Sequence, residues 1–178
     1  RVSDPITDYI SSEPARMTGQ GKPPVLSLPP RDGHIDIRAL IEALYQNAWN
    51  RRMLGTLDRI YRSNVEFHGP TDRHFTGLGR YRAFMLSLLA MFPDMAIEVE
   101  ETYWMGNPEE GYLTSVRWTA NATHRGFGVY GEPTNRQVKI WGITQHKIVD
   151  GYIGEEWMAF NELDLMMQIL GATRCPSD

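Results

Sequence analysis

The hydrophobic period of this chain changes from mainly helical to alternating at Pro93, and that change limits the architectures open to it. Before Pro93 apolar residues recur every three or four positions. Ile37, Leu40, Ile41, Leu44, Ala48 and Trp49 form one set, Leu54, Leu57, Ile60 and Tyr61 a second, and Tyr81, Phe84, Met85, Leu88, Leu89 and Phe92 a third. Such spacing puts each set on one face of a helix, with Asp36 as N-cap of the first and Pro93 ending the last. After Pro93 the pattern alternates through residues 95–105, 111–124, 137–149 and 152–160, which is the period of strands. Val65-Glu66-Phe67-His68 is an earlier alternating piece, closed by Gly69-Pro70. Asn107-Pro108-Glu109-Glu110-Gly111 reads as a turn, Asp150-Gly151 as a two-residue hairpin of type I′, and Gly126 to Arg136 as a longer connection. A final short helix from Glu162 to Leu170 puts Leu163, Met166, Met167 and Leu170 on one side. Helices followed by a run of antiparallel strands predict an α+β fold with the helices on one face of a sheet.

The 178 residues, 42% of them hydrophobic, suit a single domain. We read residues 1–35 as an extended, Pro-rich N-terminal arm, 36–171 as the domain and 172–178 as a C-terminal tail. The pairs Pro23-Pro24 and Pro29-Pro30 keep the arm out of helix; disorder, or a path over its own domain or a neighbouring subunit, all fit. With a net charge of -4 and no basic stripe, nucleic acid is not an expected partner. No apolar run approaches the roughly 20 residues that span a bilayer. The opening stretch is polar and unlike a signal sequence, so no membrane partner and a cytoplasmic location are expected. The single cysteine, Cys175, offers neither an intrachain disulfide nor a zinc cluster. The histidines lack close ligand spacing, so no metal and no other cofactor is expected.

Several short motifs follow one another along the chain: Trp49-Asn50, Val65 to Pro70, Gly77 to Phe84, and Phe92-Pro93-Asp94. Then come Thr123-His124-Arg125-Gly126-Phe127, Gly131-Glu132-Pro133-Thr134, Trp141-Gly142-Ile143, Ile148-Val149-Asp150-Gly151-Tyr152-Ile153, and Glu156-Trp157. In order and spacing this set resembles the SnoaL-like polyketide and ester cyclase family of the NTF2-like superfamily, over residues 36–171. The resemblance implies a cone of curved antiparallel sheet, with N-terminal helices enclosing a small-molecule cavity, and a homodimer formed through the sheet's outer face. In the cyclases it also implies an aspartate, four residues after the strand tryptophan, that moves a proton during aldol ring closure. Here that position is Asn161.

Alternation puts Glu155, Trp157, Ala159 and Asn161 on one face of the last strand and Glu156, Met158 and Phe160 on the other. The family register turns Trp157 and Asn161 toward the cavity. An amide can polarise a carbonyl but has no useful pKa, so Glu155, on the same face, is the substitute acid. His68 and His124, at strand ends, are candidate bases or hydrogen-bond donors, whereas His34, His74 and His146 read as incidental. The candidate catalytic set is therefore His68, His124, Glu155 and Asn161. For substrate binding we expect Gln145 on a substrate oxygen, Trp118, Trp141 and Trp157 as an aromatic wall for a flat ligand, and Tyr45 at the pocket mouth. Met85, Met91, Met166 and Met167 offer adaptable lining.

Three functions fit. The first is a cofactor-independent cyclase, isomerase or hydratase acting by acid/base chemistry on a small hydrophobic or polycyclic carbonyl compound. The second is a binding protein that keeps the cavity without the chemistry, motivated by Asn161. The third is a dimeric interaction domain.

Overall fold

Asp36 caps the first helix as its sequence position predicts: its Oδ1 accepts a hydrogen bond from the Ala39 amide at 3.0 Å. The computed structural model describes residues 25–31 and 35–171; His34, Cys175, the tail and the rest of the arm lie outside the described residues. Helix α1 (Ile37–Ala43) continues into a π-helical segment, Leu44–Asn50. The widened turn keeps Leu44, Tyr45, Ala48 and Trp49 all buried, and it ends on Asn50, whose side chain pairs with both backbone groups of Ile97 at 2.7 and 2.8 Å. A 3₁₀ turn (Leu54–Thr56) leads to the short α2 (Leu57–Ile60). Strands β1 (Tyr61–His68) and β2 (His74–Thr76) precede α3 (Leu78–Met91), which buries Tyr81, Met85 and Leu89. The long strands β3 (Ala96–Asn107), β4 (Gly111–Thr123), β5 (Gln137–Val149) and β6 (Tyr152–Phe160) follow, then α4 (Glu162–Leu170).

The six strands form one curved, unclosed sheet in the order β2-β1-β6-β5-β4-β3. β3 to β6 pair antiparallel, as the alternating run predicts, but β1 joins β6 in parallel. Two details escaped the sequence pattern: β1 begins at Tyr61, which periodicity had assigned to a helix, and β2 gave no signal in three residues. The hairpin at Asp150-Gly151 has positive φ at both residues, 53° and 73°, as type I′ requires. The core lies between the helices and the sheet's inner face, where Val65, Phe67, Val116, Trp118, Ile140, Ile148 and Met158 meet Leu40, Ile41, Leu44, Tyr81 and Met85.

The described part of the arm lies across its own domain. The backbone of Leu26 exchanges hydrogen bonds with the side chain of Asn47 at 2.9 and 2.7 Å, and the Arg31 guanidinium rests over the Tyr152 ring and donates to the Gly151 carbonyl.

Candidate active site

Strand register builds two adjoining inner rows. Thr114, His146, Glu156 and Phe67 are successive partners across β4, β5, β6 and β1; Val116, Thr144 and Met158 form the next row. Glu156 is completely buried. Its carboxylate accepts a hydrogen bond from the Tyr61 hydroxyl at 2.5 Å and another from the Tyr81 hydroxyl at 3.0 Å, and the two phenols lie 3.1 Å apart. His146 Nε2 stands 3.8 Å from Glu156 Oε2, too far for a direct bond, while its Nδ1 meets the Thr114 hydroxyl at 2.8 Å. Trp118 Nε1 donates to Thr144 Oγ1 at 2.9 Å, and Tyr45 shares a hydrogen bond with Thr144.

Burial decides the electrostatics here. It pushes the Glu156 carboxyl up to about 7 against the partial opposition of the two phenol bonds, and it pushes the His146 imidazole down to about 3. The hydroxyls of Tyr45, Tyr61 and Tyr81 are all raised by burial first, with the Glu156 charge adding to the rise. Both titrating members thus favour their neutral forms in the interior. A carboxyl near pH 7 among phenol donors can take a proton and return it.

Beside this cluster lies an apolar cavity of about 20 Å³, the space of a single water. Tyr45, Trp49, Phe92, Trp118, Met158 and Phe160 are among its walls. Tyr45 and Ile97 are also walls of an open groove between the π-helical segment and β3, with Leu26 at its side.

The structure divides the residues expected at the site. Tyr45 and Trp118 come together at the cavity. Trp157, Glu155 and His68 also come together, but on the outer face of the sheet, where the His68 ring stacks on Trp157 at 5.3 Å and its Nε2 meets Glu155 Oε1 at 3.2 Å. Trp141 and Gln145 are exposed on that same face. The expectation that Trp157 and Asn161 turn inward is thereby corrected: Glu156, Met158 and Phe160 occupy the inner positions, and an outward Trp141 and Trp157 cannot form a wall with the inward Trp118. Asn161 has left the strand. Its Oδ1 accepts from the Asp164 amide at 3.0 Å as N-cap of α4. His68 faces out because Val65 and Phe67 take the buried positions of β1. His124 is buried at the end of β4 beside Phe92, with Nδ1 3.3 Å from the Thr134 hydroxyl and Nε2 without a hydrogen-bond partner, but it is not a wall of the cavity. Of the methionines, Met85 and Met91 are buried, Met167 is partly exposed and Met166 is 43% exposed.

Sequence reasoning passed over Glu156 and dismissed His146. Charge parity on β5 is the signal that finds His146, and Glu156 follows as its cross-strand partner on β6. On β5 the set Gln137, Lys139, Trp141, Ile143, Gln145 and Lys147 carries two lysines, whereas Val138, Ile140, Gly142, Thr144, His146 and Ile148 carries none. The uncharged set faces inward, and it includes His146.

Residues 39–169 match the family model of the SnoaL-like polyketide cyclases. Among solved structures, a candidate SnoaL-like polyketide cyclase from Jannaschia sp. CCS1 aligns with a TM-score of 0.66 at 16% identity, over 75% of this chain and 90% of that one. IdmH, a candidate polyketide cyclase from Streptomyces antibioticus, gives 0.62 at 23% identity over 74% and 96%. AclR, a candidate hydroxylase from Streptomyces galilaeus, gives 0.60 at 24% over 74% and 79%. At these identities the likeness is one of fold, and fold alone does not select a reaction. No curated protein sequence matches this chain. The motif order, the helix-backed curved sheet and the family match over 39–169 agree: the chain belongs to the SnoaL-like polyketide cyclase family.

Proposed function

We propose that this protein is a cofactor-independent acid/base enzyme, a cyclase, isomerase or hydratase, that moves a proton on a small hydrophobic carbonyl compound, with Glu156 as its proton carrier. One observation carries the reading: a wholly buried carboxyl, bonded by two phenols and brought to about 7 by burial, is poised for proton transfer at neutral pH. In this reading the Glu156 carboxylate takes a proton from the carbon next to the carbonyl. The electron pair moves to the carbonyl oxygen, where a phenol stabilises it, and Glu156 returns the proton at the position that completes the reaction. Tyr45, a wall of the cavity that also bonds Thr144, serves as that phenol in this reading. A cavity of about 20 Å³ does not hold such a compound, so admission requires its aromatic walls to part along the groove shared with Tyr45 and Ile97.

The same small size, together with the absence of Glu156 from the cavity wall, favours one second reading: a non-catalytic protein that binds a small apolar ligand. Exchange of the α-hydrogens of 2-tetralone for deuterium, followed by NMR, separates the two. The enzyme reading expects exchange above the buffer rate, rising with pH to a plateau past about 7 and abolished in Glu156→Gln. Thermal stabilisation by 2-tetralone without exchange leaves the binding protein instead.

A further inference from the structure

On the opposite side of the sheet from Glu156, four side chains with metal-binding chemistry meet where β2, β1 and β6 run side by side. Register places them there. His74, His68 and Trp157 are successive partners, and Glu66 and Glu155 are partners one row away. Glu66 and His68 are two apart on β1 and share the outer face. Glu66, His68 and Glu155 each offer a ligand atom within 4.8 Å of the other two.

We propose that Glu66, His68 and Glu155 form a binding site for one divalent transition-metal ion of the zinc class. His68 Nε2 and Glu155 Oε1 stand 3.2 Å apart, close to the roughly 3.3 Å edge of a tetrahedron with bonds of about 2 Å. The exposed Glu66 carboxylate, with a ligand atom within 4.8 Å of the other two, completes the set by rotation of its side chain. The imidazole is already aimed. Its face is stacked on Trp157, 8° from parallel, and its Nδ1 lies 3.0 Å from His74 Nδ1. When His74 Nδ1 accepts the His68 Nδ1 proton, the lone pair of His68 Nε2 is left facing the two carboxylates, the arrangement in which metal-bound histidines are held by an outer partner. Lys147 Nζ approaches the other oxygen of Glu155, Oε2, at 3.8 Å, which leaves Oε1 for the ion. One imidazole with two carboxylates suits zinc better than magnesium, which prefers oxygen ligands and retains its waters. The fourth position stays open to solvent.

The test is calorimetric titration of the untagged full chain with zinc chloride, with magnesium chloride in parallel, together with thermal unfolding in both salts. The expected result is one zinc per chain, a zinc-dependent rise in Tm, and no comparable magnesium binding. Glu66→Gln and His68→Gln each weaken zinc at least about tenfold, and His74→Ala weakens it by about tenfold through loss of orientation alone. Glu98→Gln, elsewhere on the outer face, leaves the affinity unchanged. Circular dichroism establishes that each variant is folded before titration. No zinc binding up to about 1 mM, equal binding of magnesium, or zinc affinity unaltered in folded Glu66→Gln and His68→Gln would each overturn the proposal.

Discussion

Consecutive residues of β6, Glu155 and Glu156, show what the two faces of one sheet do to the same side chain. Glu156 faces the helices, is fully buried, answers to two tyrosines and is driven toward its neutral form. Glu155 faces outward, retains a quarter of its side-chain exposure and answers to His68 and Lys147. One backbone step separates a wholly buried carboxyl from a partly exposed one, so dielectric environment, not residue type, sets which charge state each favours.

The sharpest way to break this contrast is to truncate each carboxylate in turn. Glu156→Ala strands two buried phenols and opens a void, and should cost about 3 to 5 kcal/mol in chemical denaturation. Glu155→Ala should cost under about 1 kcal/mol. Similar losses at the two positions would end the distinction.

Stability against pH sharpens it next. Folded Glu156 holds its proton up to about 7 rather than the ordinary 4.5, so its contribution is full below 4.5 and is lost as pH rises through 7. Folded His146 gives up its proton near 3 rather than 6.5, so its contribution is full above 6.5 and is lost as pH falls toward 3. The two oppose each other between 4.5 and 6.5. Over its window the Glu156 shift amounts to about 3 kcal/mol and the His146 shift to about 5 kcal/mol. In urea unfolding from pH 4 to 8, Glu156→Gln should lose the alkaline decline and leave a curve that only rises toward pH 6.5.

A steric probe of the inner face comes third. A Cβ at Gly142 would meet Trp118 Cζ2 at 2.3 Å and the Ala159 carbonyl oxygen at 2.8 Å, so Gly142→Ala should lower stability by about 1 to 3 kcal/mol. Asn161→Ala removes a helix cap and should cost about 1 kcal/mol, with 2-tetralone exchange unaffected, if the cap is the whole of its role. Least disturbing to the fold is the outer face itself, where Trp141, Ile143, Leu113 and Tyr103 are 54%, 40%, 40% and 64% exposed. We propose this face as a homodimer surface. Trp141→Ser should change stability of the subunit by less than about 0.5 kcal/mol while shifting sedimentation from dimer to monomer.

Most of the fold was legible because it is periodic. The run Ile37 to Trp49 is buried on one side as its spacing requires, and β5 alternates buried and exposed along nearly its whole length. Turn chemistry was equally local: Asp150-Gly151 needs only the two residues themselves to be read. The candidate site was less legible, because alternation yields two faces without saying which is inside. Tryptophans tempt one to choose theirs, yet Trp141 and Trp157 lie outward while Thr144, His146 and Glu156 lie inward. Polar residues are a poor guide to an interior until their partners are known.

The sequence by itself determined the element order, the family and the two alternating sets of side chains on each strand, since these depend on spacing and on neighbours in the chain. On β6, where each set carries one glutamate, tertiary structure alone decided which set meets the helices. It also decided that β6 pairs in parallel with β1, bringing Tyr61, Tyr81 and Glu156 together from positions 75 to 95 residues apart. The physical reason is that hydrogen-bond partnership and desolvation are properties of contacts made across the fold, and no local period encodes them.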